Sequence, residues 1–208
     1  MLSNEKPEVL KRQLYQICKP TLYWILGMII VIVVTAIITY LVAPSTKGTT
    51  DAIESTVPHV VSNADGVKAV VAYFVNNGIR VPLMMLVLSL IPVAYLYTIN
   101  VFIGAILPGI LFGVAFQHGI QSGVAIVIGA SPHALLELLG LCAWIVLLGP
   151  LNNWVRDKIR RRKTESLRNV FLPLLRGWVV IVLPSMVIAA FCETYLADRV
   201  ADFILYLN

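Results

Sequence analysis

Charge is what this chain has least of. Between Pro82 and Leu148 there is no Lys, no Arg, no Asp and a single Glu, Glu137, and only 13% of all residues are charged. With 59% hydrophobic residues and a mean hydropathy of +0.85, the composition excludes an ordinary soluble domain and points to an integral membrane protein. Cysteine is scarce too. Cys18, Cys142 and Cys192 are far apart and form no CxxC pair, which excludes a disulfide framework and a thiolate zinc site. No HExxH, Walker loop, nucleophile elbow or dinucleotide-binding fingerprint is present, so neither a metal nor another cofactor is expected, and ATP hydrolysis by this chain is not. No internal repeat is evident, which weighs against the repeat-built secondary transporters.

The chain carries a net charge of +5, but the basic residues make no footprint on a soluble domain, so nucleic acid is not an expected partner. Seven of the sixteen Lys and Arg fall between Arg156 and Arg168, beside the end of an apolar run. That cluster is an orientation signal.

Apolar runs of spanning length then set an all-α fold with about five transmembrane helices in one membrane domain, residues 1–208. Residues 1–20 read as a cytoplasmic amphipathic segment, with Leu10, Leu14 and Ile17 at helical spacing. Thr21 to Ala43 is span one, anchored by Tyr23, Trp24 and Tyr40. Residues 44–79 read as an extracytoplasmic loop, in which His59 is solvated, followed by an interfacial helix. Asn63 or Asp65 caps that helix, Val67, Val70, Val71, Phe74 and Val75 form its apolar stripe, and Asn76-Asn77-Gly78 stops it. Span two is Pro82 to Tyr97, with a start expected a few residues earlier and a kink at Pro92. Span three is Ile99 to Phe116, where Gly109 and Gly113 form a GxxxG pair suited to close helix packing. His118 sits in the polar turn that follows.

Span four, Val124 to Leu148, ends at Gly149-Pro150. A basic cytoplasmic loop, 151–172, leads to span five around Trp178 to Phe191, and the tail from Leu196 suggests an amphipathic surface helix. Counting basic flanks places the N-terminus and the basic loop in the cytoplasm and the C-terminus outside, as a multi-pass cell-membrane protein.

The candidate site lies in span four. Ser131 reads as an N-cap and Pro132 as a first-turn proline, so the span is expected to break there and restart inside the membrane. The unpaired amides from Pro132 to Leu135 would then be available to an anion or a carbonyl. His133 and Glu137, at i and i+4, share a face and can hydrogen-bond each other. The alternative is a proline-kinked helix whose His and Glu only join it to its neighbours. Glu193, near the outer end of span five, lies apart from mid-span Glu137, so the two are not expected to share a metal.

Three elements carry a family resemblance: Phe74-Val75-Asn76-Asn77, the Pro-His-small-x-x-Glu run from Pro132 to Glu137, and Ala189-Ala190-Phe191-Cys192-Glu193. From about Phe74 to Tyr195, with the same number and order of spans, the chain resembles the stage II sporulation protein M family of bacterial integral membrane proteins. Ala134 stands where that family usually has Gly, and keeps the position small. The resemblance implies a polytopic bacterial membrane protein. The founding member works with partners in a peptidoglycan-degrading complex that drives engulfment during spore formation. Other relatives are encoded beside circular bacteriocins and implicated in their production or export. It marks Asn76, Asn77, His133, Glu137 and Glu193 as characteristic polar residues, without assigning them a proven catalytic function.

Two functions follow as expectations. The first is a non-enzymatic scaffold in a cell-envelope complex, whose partners are the bilayer and other membrane or envelope proteins. The alternative is a transporter or export component, for a peptide or a lipid, with a midplane polar site at His133 and Glu137. Oligomeric state is left open.

Overall fold

A computed structural model describes residues 5–42 and 65–206, with side chains from residue 17 onward. The described residues are helical, without strands, and five helices are long and apolar enough to cross a membrane. Helix α1 is Glu5–Val42, of which Ile17–Val42 is of spanning composition. It is followed by α2, Val67–Ser89, α3, Leu96–Gln117, α4, Ile120–Ile159, and α5, Leu167–Tyr195. A terminal helix α6 covers Ala197–Tyr206. Large apolar side chains such as Ile30, Ile37, Leu83, Ile103, Val180 and Phe191 stay exposed along these helices. Their backbones bond internally, which is what a hydrocarbon environment demands.

The hub is α4. Half of its apolar stretch is buried within the protein, against 11–33% for the other four, and it packs against every other helix. Met28, Met85, Tyr97, Val101, Ile145, Leu148, Val182 and Met186 meet in the core around it. At 40 residues it is roughly 60 Å long, about twice the ~30 Å hydrocarbon thickness. Its last turns therefore carry Arg156 and Lys158 clear of the apolar zone.

Helix α3 lies on α1 along the two glycines. A Cβ on Gly109 would stand 2.7 Å from the Ile32 carbonyl oxygen and 2.8 Å from Thr35 Cβ, and one on Gly113 would stand 2.6 Å from both the Ala36 oxygen and Thr39 Cβ. Only a residue without Cβ permits that approach. Gln117 then closes the seam, its Nε2 donating to the Thr39 and Tyr40 carbonyls at 3.1 Å.

Several boundaries differ from the sequence reading. Residues 5–20 are not a separate surface helix, because α1 runs from Glu5 through Pro20 into the span. His59 and Asn63, with the polar loop, lie outside the described residues. The interfacial helix and span two are one helix. Asn76-Asn77-Gly78 do not stop it, and Pro92 lies in the turn after it rather than in a kink. That turn is held by buried Asn152 of α4, whose Nδ2 donates to the Ser89 and Ile91 carbonyls at 2.9 Å and to Val93 at 3.3 Å.

Span four is not broken at Ser131-Pro132, and Gly149-Pro150 does not end it. Helix α4 continues through both prolines to Ile159, which shortens the basic loop to residues 160–166. The tail helix α6 does form, but it folds onto α4. A Cβ on Gly129 would meet the Ala197 carbonyl at 2.7 Å and Ala201 Cβ at 3.2 Å, and Gln121 Nε2 donates to the Leu205 carbonyl at 3.2 Å.

Candidate functional site

Proline chemistry builds the site. Pro82 has no N–H, so the carbonyl of Gly78, four residues earlier, loses its α-helical donor and is crowded by the ring. Helix α2 responds by widening into a π turn, Val75–Arg80, in which the Val81 N–H reaches back to the Asn76 carbonyl. Trp178 of α5 supplies the missing donor, Nε1 to the Gly78 oxygen at 3.3 Å. Trp144 of α4 donates to the Pro82 carbonyl at 2.9 Å. The same device recurs in α5, where the π turn Trp178–Val182 immediately precedes Leu183-Pro184. Single π turns inside α-helices concentrate at functional positions.

The π turn of α2 carries three linked polar side chains, the last of which, Asn77, reaches α4. Arg80 Nη1 donates to Asn76 Oδ1 at 3.3 Å. Asn76 Nδ2 donates to Asn77 Oδ1 at 2.7 Å, and Asn77 Nδ2 donates to Glu137 Oε1. All three bonds run in one direction, so the chain is polarised from guanidinium to carboxylate, and each bond strengthens the next. Among the described residues, Arg80 has no carboxylate at ion-pair distance. Its charge reaches Glu137 only through the two amides.

This relay forms one wall of a cavity of about 420 Å³ lined by α2, α3 and α4, with Ile32 of α1. Asn100 of α3 faces it from the opposite side, and Asn100 Nδ2 is buried without a hydrogen-bond partner. Apolar side chains including Met84, Ile103 and Leu107 complete it. Beyond Glu137, toward α5, the Tyr73 hydroxyl lies within hydrogen-bonding reach of the Glu193 carboxyl, with Asp198 and Glu137 within electrostatic reach of both. Sequence distance and span order had separated Glu193 from Glu137, and the fold draws them toward one another. No group of three or more His, Cys, Asp or Glu among the described residues could hold a metal.

The remaining site residues stand elsewhere. Ser131 is not an N-cap: its Oγ donates to the Val127 carbonyl at 2.5 Å inside the continuous helix. Pro132 lies in that helix interior and exposes no row of free amides. The expected His133–Glu137 hydrogen bond does not form. Glu137 is bonded to Asn77, and His133 Nδ1 is buried with no partner. Arg80, Asn100 and Tyr73 are not among the residues that the sequence singles out. The one sequence signal for them was the placement of Arg80 and the two Asn residues inside a stretch long enough to span if it did not stop.

The model for stage II sporulation protein M matches residues 21–198. No curated protein and no solved structure matches the chain. The match takes in α1 to α5 with the Asn76, Asn77, His133, Glu137 and Glu193 positions, so the chain belongs to the stage II sporulation protein M family, as an all-α, multi-pass membrane protein.

Proposed function

We propose that this chain is a non-enzymatic membrane component of a cell-envelope complex, and that its intramembrane polar residues shape the surface it presents to partners. The observation that carries this reading is the Asn77–Glu137 hydrogen bond. It ties α2 to the central helix, and interhelical polar bonds are what fix helix arrangement in a medium where apolar burial gives no preference. In this reading the N-terminus and the basic 160–166 loop face the cytoplasm and α6 lies outside, in keeping with the basic flanks. Engulfment and peptidoglycan remodelling in a spore former are the setting that family membership favours.

The test is co-purification from native membranes in gentle detergent, wild type against Glu137→Gln at matched expression, with partners identified by mass spectrometry. Gln keeps an acceptor for Asn77, so the same partners and the same host phenotype are expected. Loss of the phenotype with partners retained would contradict the scaffold role. A second reading, a transport or export component, is favoured by one feature: the relay borders a cavity instead of being packed shut.

A further inference from the structure

The geometry points to the cavity between α2 and α3 as a binding site for an anionic membrane lipid, which enters sideways from the bilayer and places an acidic headgroup on Arg80 and Asn100. This deepens the second reading by naming a class of ligand.

The first observation is an opening. Helix α2 packs on α4 and α5, and α3 packs on α1 and α4, but α2 and α3 make no extended contact with each other beyond the turn that joins them. Met84 and Ile103 stay 44% and 51% exposed on either side of the gap, and both line the cavity. The gap therefore leads from the lipid-facing surface to the polar wall. Its volume, about 420 Å³, falls within the ~300–1,000 Å³ typical of small-molecule sites.

The second observation is unmet donor capacity. Arg80 is exposed at the lip, uses one donor on Asn76, and has no carboxylate at ion-pair distance among the described residues. A guanidinium inside a span normally pairs or faces a polar cavity, and its planar fork matches the oxygens of a phosphate. Asn100 Nδ2 across the cavity is buried and unpartnered, which is costly unless an acceptor arrives. Glu137 lines the same cavity but stands at the far end of the relay, separated from Arg80 by the two amides. The apolar remainder of the cavity suits the first methylenes of the lipid rather than a free anion.

A purified full-length chain in detergent, titrated with palmitoyl-oleoyl phosphatidylglycerol and read by native mass spectrometry, tests this. Wild type is expected to retain the lipid in preference to the matching phosphatidylcholine. Arg80→Gln is expected to weaken retention about tenfold, the equivalent of one charge-assisted hydrogen bond. Gly104→Leu gives a second, steric arm. A Cβ at Gly104 meets nothing within 4 Å, the residue lines the cavity, and Leu is the better helix former. It should fold as wild type and lose the lipid. Unchanged retention in Gly104→Leu, equal binding of phosphatidylcholine, or equally effective competition by inorganic phosphate would each overturn the proposal. Binding is read here on isolated protein, whereas the complex and transport readings are tested in membranes, so the failures are separable.

Discussion

Glu137 stands in an apolar helix because an amide meets it. Removing that amide leaves the carboxyl buried with a lost partner, which costs about 1–3 kcal/mol for a neutral group and more for a charged one. Asn77→Leu is therefore expected to lower the unfolding midpoint in detergent clearly, while Glu137→Gln, which keeps an acceptor, shifts it little. The carboxylate was legible in the sequence, as the only acid between Pro82 and Leu148. Its partner was not. Asn-Asn-Gly reads as a helix stop because in water those residues find hydrogen bonds outside a helix. In hydrocarbon the backbone has no such alternative, and the helix continues. The same argument explains Ser131, whose hydroxyl returns to the Val127 carbonyl instead of capping a new helix.

At the scale of elements, glycine position separates seam from cavity. Gly113→Leu would drive a Cβ into the Ala36 carbonyl and Thr39, so it is expected to destabilise the α1–α3 pair by several kcal/mol. Gly104→Leu should be neutral or mildly stabilising, and thermal unfolding of the two variants side by side checks the contrast. The GxxxG spacing marks a packing face in the sequence, and the fold supplies the partner, α1. Asn152→Leu removes the side chain that closes the α2–α3 turn on three carbonyls. A loss of about 2 kcal/mol is expected, read as a lower denaturation midpoint with helicity otherwise retained. Nothing in the Asn152-Asn153 pair near the end of an apolar run announces such a clasp, because the acceptors of Asn152 are some sixty residues away along the chain.

For the whole molecule, the number of crossings and the helical class were readable from apolar run lengths, since the bilayer imposes them. The course of α2 and α4 was not, since turn and cap propensities measured against water misplace helix ends in lipid. The orientation proposed from the basic flanks is open to a direct test. A single exposed cysteine introduced at Lys163 in an otherwise Cys-free chain should react with an impermeant maleimide only after the cells are opened, and one at Asp202 should react in intact cells.

The central claim is that α2 crosses without interruption and is bonded to α4 through Asn77 and Glu137. A double-mutant cycle with Asn77→Ala and Glu137→Ala, read by reversible unfolding in bicelles, tests it most directly. The account predicts that the two changes are coupled by about 1 kcal/mol or more, as expected for side chains in contact. Additive effects, with coupling indistinguishable from zero, would contradict it.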